Sequence, residues 1–211
     1  MVAAYTQLLA ERYRGKLDEQ ADKYIFYAVD GAKRMQTLIQ DLLAFSRAGR
    51  GTELILTDGH AVVEQALSNL TAAIRESAAV VKHNHLPVIM ANHSLLVQLF
   101  QNLIGNAIKF RGIEPPLIQI SAERNADHWV FTIADNGIGM APEYLEDIFI
   151  IFKRLHTRGE YPGNGIGLSI CRKIVERHGG TISVTSQEGQ GSTFRFTLPA
   201  AEPEYQPGHS L

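Results

Sequence analysis

An acidic turn with two glycines is the most informative stretch of this chain. It runs from Asp135 to Met140 and directly follows residues 129–134, an apolar run typical of a buried strand. A carboxylate at a strand end can accept hydrogen bonds from the flat edge of a ligand, and Gly137 and Gly139 let backbone come close where a Cβ would collide. The combination suits a nucleotide, although Asp-Asn-Gly after a strand is more often only a turn.

A second set of polar side chains lies on one predicted helix, residues 95–110. Asn102, Asn106 and Lys109 are four and three residues apart, so they project from one face, opposite a leucine-rich face. An amide oxygen is a hard ligand for Mg²⁺, and an ammonium pairs with phosphate oxygens. The spacing therefore allows a site for a magnesium-bound phosphate chain, with a plain solvated face as the alternative.

A glycine-rich segment, from Gly163 to Leu168, precedes another predicted helix. The free amides and the dipole of a helix N-terminus can bind an anion there. No Gly-Lys-Ser/Thr follows, as a phosphate-binding loop requires. The segment also comes about 25 residues after the acidic turn, whereas a dinucleotide-binding fold places its glycines before the ribose-binding acid. Both common nucleotide folds are therefore disfavoured.

Composition limits the class of protein. The chain has 211 residues, 45% of them hydrophobic, which suffices for one ordinary domain and a smaller one. With 20 basic and 22 acidic residues the net charge is −2, so no overall field attracts nucleic acid or an anionic membrane. There is no membrane-spanning apolar run and no signal peptide, and the single Cys171 fits a core position in a reducing compartment. We expect a cytoplasmic location, with a membrane-associated parent protein left open.

Residues 1–50 predict a helical hairpin. A helix over residues 1–14 is followed by a turn, with Asp18 as N-cap of a long helix over residues 19–46. The long helix has apolar residues spaced by three and four as in a coiled-coil seam, at Ile25, Ala28, Ala32, Met35, Ile39 and Leu42. We expect a homodimer in which two hairpins form a four-helix bundle. The first helix would span about 20 Å and the second about 40 Å, so either the dimer partner covers the rest of the second helix or the sequence begins within a helix. We favour a fragment, because Met1 and Val2 continue the pattern without a cap.

A boundary is predicted at residues 48–52, followed by a second domain over residues 51–199 and a disordered tail over residues 200–211. The predicted strands cover residues 53–57, 80–83, 88–91, 117–124, 128–134, 181–186 and 193–198. The predicted helices cover residues 61–74, 95–110 and 166–178, the last of them ended by two glycines.

Five segments, taken in order, resemble the motifs of sensor histidine kinases. They are residues 102–110 (the N box), 135–139 (G1), 149–154 (F), 163–167 (G2) and 189–194 (the last glycine motif). The resemblance spans about residues 15–199 and implies a Bergerat-type ATP-binding domain. The implied fold class is α+β, a two-layer sandwich with helices on one face of a mixed sheet.

The resemblance also implies a site for ATP and Mg²⁺. Asp135 would accept a hydrogen bond from the adenine amino group, with Thr193 nearby. Asn106 would coordinate Mg²⁺, while Asn102 and Lys109 would serve the phosphates. The other expected nucleotide contacts are Arg154 near the γ-phosphate, Gly137 and Gly139 at the base, and Gly163, Gly165, Gly167 and Leu168 around the triphosphate.

Position 102 separates the kinases from related hydrolases. Relatives in gyrase, mismatch-repair and chaperone proteins carry a glutamate four residues before the metal-binding asparagine, as general base on water. The amide of Asn102 cannot accept a proton, so transfer is favoured over hydrolysis. The implied acceptors are a histidine and then an aspartate of a response-regulator receiver domain.

The acceptor histidine is missing from this sequence. The family's acceptor is followed directly by Asp or Glu and soon by Pro, and none of the 8 histidines fits; His156 reads as a surface residue of the lid. We expect the missing segment just before Met1, so no catalytic residue is expected in cis. The alternatives are a non-catalytic ATP-sensing or dimerisation module and a gyrase-type ATP hydrolase.

Overall fold

A computed structural model describes residues 1–47, 53–155, 161 and 163–200. These residues form two compact units, one of residues 1–47 and the other of the residues from 53 onwards. The predicted boundary at 48–52, His156 and the tail beyond Ala200 lie outside the described residues. None of the helices in the described ranges has both the length and the apolar character needed to cross a bilayer.

The first unit is a pair of helices, α1 (Val2–Tyr13) and α2 (Glu19–Arg47). The turn between them is held by two acids. Gly15 donates its N–H to the Asp22 carboxylate at 2.9 Å, and Asp18 accepts from the N–H of Ala21 at 2.7 Å. Asp18 therefore caps α2 as predicted, and both helices lie within one residue of their predicted bounds.

Most of the predicted seam of α2 faces water in the single chain. Ala32 is buried, whereas Met35, Ile39 and Leu42 expose 55%, 59% and 51% of their surface. Helix α1 exposes large apolar side chains as well, Leu8 among them. At about 25 cal/mol per Å² of apolar surface, such a stripe is costly to leave in water.

The second unit contains two sheets. The small one pairs β1 (Ile55–Asp58) with β3 (Val88–Ala91) in antiparallel orientation. The large one has, in spatial order, β2 (Val80–His83), β4 (Leu117–Asn125), β5 (His128–Asp135), β7 (Ser192–Pro199) and β6 (Ile182–Ser186). Strand β2 runs parallel to β4 and the other neighbours are antiparallel, so the sheet is mixed, as predicted.

The helices of this unit are α3 (Gly59–Asn69), α4 (Thr71–Ser77), α5 (His93–Lys109) and α6 (Gly167–Arg177). Short 3-10 turns cover Pro142–Tyr144 and Asp147–Phe149. The single helix predicted over residues 61–74 is wrong. The helix is interrupted at Leu70, whose φ of −101° and ψ of 7° are not helical. The Thr71 hydroxyl donates to the Ser68 carbonyl at 2.7 Å, so this carbonyl at the end of α3 is bonded by a side chain.

One face of the large sheet is apolar and packs against α5. Alternate residues are buried along its central strands, namely Ile118, Ile120, Phe131, Ile133, Phe194, Phe196 and Leu198. Phe131 and Phe196 stack with ring centroids 4.9 Å apart, and Phe100 of α5 meets both edge-on at 6.1 and 5.7 Å. Helices α3 and α6 pack beside α5, which confirms the predicted sandwich with helices on one face. Cys171 lies in this core as predicted, and burial raises the pKa of its thiol to about 12.

A buried histidine joins the end of α6 to the start of α5. The Nδ1 of His178 lies 2.7 Å from the Ile174 carbonyl oxygen, and its Nε2 lies 3.0 Å from the backbone nitrogen of Asn92, the N-cap of α5. These partners require a neutral ring that donates from Nδ1 and accepts at Nε2. Gly179 and Gly180 then end α6 with the paired bonds of a Schellman motif, at the predicted position.

We expect acid to destabilise this unit through His178. Burial lowers its pKa from 6.5, because the charged ring would lose its hydration. An added proton on Nε2 would also face the Asn92 N–H, which now donates to that nitrogen. The unfolded chain binds that proton first, so the free energy of unfolding should fall as the pH drops below about 6.5, levelling off only below the lowered pKa.

Urea unfolding at about pH 7.5 and about pH 5.5 measures the effect. His178→Gln should cost about 1–3 kcal/mol at the higher pH and should flatten the pH dependence, since no ring remains to titrate. The exposed His128→Gln is the matched control and should behave as the parent chain. An unchanged pH dependence in His178→Gln would contradict this role.

Candidate functional site

Asp135 lies at the end of β5 on the inner face of the sheet. Side chains alternate along a strand, so Asp135 points to the same side as Phe131 and Ile133, towards the helices. Its Oδ1 accepts hydrogen bonds from the backbone N–H of Gly137 at 2.8 Å and of Ser192 at 3.1 Å. Both bonds hold Oδ1, which leaves Oδ2 as the carboxylate oxygen for a ligand.

The surroundings make Asp135 a selective acceptor. Burial raises the pKa of its carboxyl, and the hydrogen bonds from Gly137 and Ser192 offset part of that rise. A partly desolvated carboxylate gains more from a ligand donor than an exposed one does. An acceptor-only ligand edge at the same place would leave the oxygen unpaired, at a cost of about 1–3 kcal/mol.

Gly137 and Gly139 are buried where the protein's own backbone comes close. A Cβ on Gly137 would lie 2.5 Å from the Phe110 carbonyl oxygen, and one on Gly139, whose φ is +65°, would overlap the Gln187 carbonyl oxygen. The Phe110 carbonyl also accepts from the N–H of Ile138 at 2.9 Å. The acidic turn is thereby joined to the C-terminal end of α5. The two glycines are therefore required for close packing of the protein's own backbone, in addition to the predicted approach of a ligand.

The polar face of α5 follows the prediction. Asn102, Asn106 and Lys109 are half-buried, and the opposite face is core, with Leu96, Leu99, Phe100, Leu103 and Ile104 buried and Leu95 half-buried. Asn102 donates from Nδ2 to the Gly167 carbonyl at 3.4 Å. The amide side chain therefore meets the first residue of α6.

The glycine-rich segment lies against this polar face. A Cβ on Gly163 would stand 2.9 Å from the Lys109 Nζ, and one on Gly165 would stand 3.0 Å from the Arg154 Cγ. The Gly165 carbonyl accepts from the N–H of Phe152 at 3.0 Å. The structure thus brings the predicted G2 residues next to the predicted N-box and F-box residues.

Helix α6 begins without a side-chain cap in the described part of the chain. Its N-cap residue is Ile166, and its first turn contains no acidic residue. No side chain of the described residues caps the first backbone N–H groups, those of Gly167 and Leu168, so they can donate to an anion at the positive end of the helix dipole.

Two cations, Lys109 and Arg154, lie near each other beside the glycine-rich segment. The pKa of Lys109 is lowered, chiefly by burial and further by the positive charge of Arg154. Arg154 donates from Nη2 to the Tyr161 carbonyl at 2.7 Å, and the Tyr161 ring packs on Phe110 with centroids 5.0 Å apart. A pair of like charges held together favours an anion between them, as a phosphate chain would be.

The structure corrects the expectation for Thr193. The sheet register pairs Thr193 with Ala134 and Thr185, and its neighbours Ser192 and Phe194 are the buried ones, so Thr193 lies on the opposite face from Asp135. The residue beside Asp135 is Ser192. Sequence reasoning chose the wrong member of the Ser-Thr pair because the strand's phase was not known.

A hydroxyl pair beneath the acidic turn also escaped sequence reasoning. The hydroxyls of Ser186 and Ser192 are 3.0 Å apart, and Ser186 Oγ accepts from the N–H of Met140 at 2.9 Å while donating to the Gly191 carbonyl at 2.8 Å. These bonds tie the turn to strands β6 and β7. Only the adjacent Gly-Gln-Gly motif hinted at them in the sequence.

Phe149 anchors the segment that leads to the predicted lid. Its buried ring lies edge-on to Phe194 at 6.4 Å, and the Arg172 guanidinium lies over it at 4.4 Å from the centroid. An ion pair of 2.9 Å between Lys153 and Asp147 closes the same segment. The F-box residues thus hold Arg154 near the site.

Comparison with known proteins agrees with this geometry. Residues 91–202 match the family described as histidine kinase-, DNA gyrase B-, and HSP90-like ATPase. The matched region contains every residue of the site described above.

Two cyanobacterial proteins are similar along nearly the whole chain. Cyanobacterial phytochrome A of Nostoc sp. strain PCC 7120 is 51% identical over 199 residues, which cover 94% of this chain and 26% of that protein. Phytochrome-like protein Cph1 of Synechocystis sp. strain PCC 6803 is 48% identical over 199 residues, which cover 94% of this chain and 27% of that protein. The chain therefore spans about a quarter of the length of these curated relatives.

Solved structures share the fold. The catalytic domain of histidine kinase ThkA is 28% identical, with a TM-score of 0.61, and the match covers 70% of this chain and 96% of that domain. ThkA in complex with response regulator protein TrrA is 26% identical with a TM-score of 0.67, over 93% of this chain and 57% of that one. The predicted resemblance is confirmed: the chain belongs to the histidine kinase-, DNA gyrase B-, and HSP90-like ATPase family and contains an ATP-binding kinase domain of the histidine kinase type.

Proposed function

We propose that this chain is the ATP-binding and dimerisation part of a sensor histidine kinase. The whole protein would transfer the γ-phosphoryl group of Mg·ATP to a histidine, and from there to an aspartate of a response-regulator receiver domain. The supporting observation is that Asp135 is joined through the acidic turn to Phe110 at the end of α5, and that Asn102 of α5 bonds the first residue of α6.

The base would be selected by Asp135. Its Oδ2 accepts from the adenine amino group, while Oδ1 stays bonded to Gly137 and Ser192. We place Ser192, rather than Thr193, beside the base, because it lies on the same face of the sheet as Asp135. Gly137 and Gly139 keep this part of the site flat.

The phosphates would lie between α5 and the glycine-rich segment. Asn106 holds Mg²⁺ through its amide oxygen, and the ion neutralises phosphate charge. Lys109 and Arg154 pair with phosphate oxygens, which removes their mutual repulsion. The amides at Gly167 and Leu168 complete the anion site, with Asn102, Gly163 and Gly165 shaping the loop.

Transfer rather than hydrolysis follows from Asn102. Its Nδ2 donates to the Gly167 carbonyl, so the side chain serves as a link between helices α5 and α6. An amide has no basic lone pair for activating water at neutral pH. The phosphoryl group is thereby kept for a protein nucleophile positioned by the complete kinase.

Partners follow from the same assignment. A receiver domain is the proposed acceptor, supported by the complex that the similar kinase ThkA forms with response regulator protein TrrA. The exposed stripe on α1 and α2 supports a homodimer built as a four-helix bundle. Because the reaction consumes ATP, the proposed compartment is the cytoplasm.

Replacing Asp135 by Asn tests the base site. The Asn side chain can keep its Oδ1 on the Gly137 and Ser192 amides, but it turns an NH₂ towards the adenine amino group. ATP affinity in calorimetry should fall about 10- to 100-fold, while the free energy of unfolding of the ATP-free protein stays level or rises, since a buried charge is removed. The exposed Asp127→Asn should change neither value. Unchanged affinity in Asp135→Asn would refute the assignment.

Phosphotransfer can be tested in trans. The chain, labelled ATP and Mg²⁺ are mixed with a helical-hairpin protein that carries an acceptor histidine, and we expect label on that hairpin. Asn106→Ala should lower the rate about 100-fold or more, because the metal ligand is lost. Steady phosphate release without the hairpin would identify a hydrolase instead, and ATP binding without either reaction would identify a nucleotide-sensing module.

The dimer can be tested by light scattering. Ile39→Glu and Met35→Glu each place a charge in the stripe of α2 that is exposed in the single chain. Each should convert a dimer to a monomer, since an apolar side chain buried in the dimer contributes about 1.5–3 kcal/mol to its stability. The exposed polar Gln40→Glu on the same helix should remain dimeric. A monomeric parent chain would overturn the four-helix bundle.

A further inference from the structure

Three potential metal ligands meet at the edge of the large sheet. His60 and Glu64 lie one turn apart on α3, and His83 ends strand β2. A ligand atom from each lies within 4.8 Å of the other two, so one ion could touch all three. None of these residues takes part in the proposed kinase function.

The geometry of His83 favours an ion at its Nε2. The His83 Nε2 lies 2.9 Å from Glu64 Oε1, and the centroids of the His83 and His60 rings are 5.1 Å apart. On the other side of the ring, Nδ1 lies 3.2 Å from the Asn84 carbonyl oxygen. Metal-binding histidines typically donate their second N–H to such a carbonyl, which fixes the tautomer and turns the lone pair towards the ion.

The ligands come from elements with fixed positions. His83 pairs with Ile120 in the parallel ladder, and the first turn of α3 is capped by Asp58, whose Oδ1 accepts from the His60 N–H at 2.9 Å. The other side of α3 carries the fully buried Val62 and Val63. Little ordering of the backbone would therefore accompany metal binding.

The ligand set selects a class of metal. Two imidazole nitrogens and one carboxylate suit Zn²⁺ and neighbouring divalent transition metals, whereas Mg²⁺ and Ca²⁺ prefer oxygen ligands alone. His60 and Glu64 are exposed, so water can complete the coordination. We propose that His60, Glu64 and His83 form a binding site for a divalent transition-metal ion, with Zn²⁺ as its representative.

This metal site is separate from the nucleotide site. Strand β2 is an edge strand, and β4 lies between it and β5, which carries Asp135. On β2, Val80 pairs with Leu117, whose N–H bonds Asn136 of the acidic turn, whereas His83 is at the other end of the strand. The ion would join α3 to the sheet edge without displacing a nucleotide ligand.

Calorimetry with Zn²⁺ and the metal-free chain, in the absence of nucleotide, tests the proposal. We expect one saturable site per chain, weakened at least about tenfold in both His60→Ala and His83→Ala. His85→Ala is the matched control, since this exposed histidine lies two residues from His83 and should leave Zn²⁺ affinity unchanged.

Two further measurements test whether the variants differ from the parent chain in stability or in ATP affinity. Thermal unfolding of the metal-free variants should match the parent chain, and Zn²⁺ should raise the midpoint only where the site is intact. ATP affinity should be the same in all three variants. Absence of a saturable site, or an equal loss in His85→Ala, would show that the cluster is only an ion pair between His83 and Glu64 beside the tilted ring of His60.

Discussion

The contact between α5 and the inner face of the large sheet is the constraint on which the site depends. Phe100 sits edge-on against Phe131 and Phe196, so the rotation of α5 about its axis is set by ring packing in a fully buried layer. That same rotation turns Asn102 and Lys109 towards the glycine-rich segment. A helix turned enough to misplace those polar groups would also open the core.

Asp135 departs from the alternation of buried apolar residues along β5. A carboxylate occupies a position whose alternation calls for an apolar residue, and burial raises its pKa accordingly. Two backbone amides make the position tolerable by bonding one oxygen. The opposite end of the site has an excess of positive charge, since Lys109 and Arg154 are neighbouring cations beside the glycine-rich segment that precedes α6. An acceptor at one end and excess positive charge at the other match a purine that carries a phosphate chain.

The sequence by itself determined the family, the order of the strands and of the main helices, and the polar face of α5. These features depend on short-range patterns: an acid after an apolar strand, amides spaced by four, glycines before a helix. The Asp18 cap and the glycine stop after His178 were also readable, because each involves residues only a few positions apart. Five such patterns in one order were sufficient to identify the type of domain.

Only the tertiary structure decided which atoms meet across long separations. The register of β7 against β5 puts Ser192 rather than Thr193 beside Asp135, and a shift of one residue would exchange the two faces. The pairing of β2 with β4 likewise brings His83 to α3, where it meets His60 and Glu64. Strand register and helix rotation follow from packing of the whole core, and no local pattern encodes them, which is why these neighbours could not be read from the chain alone.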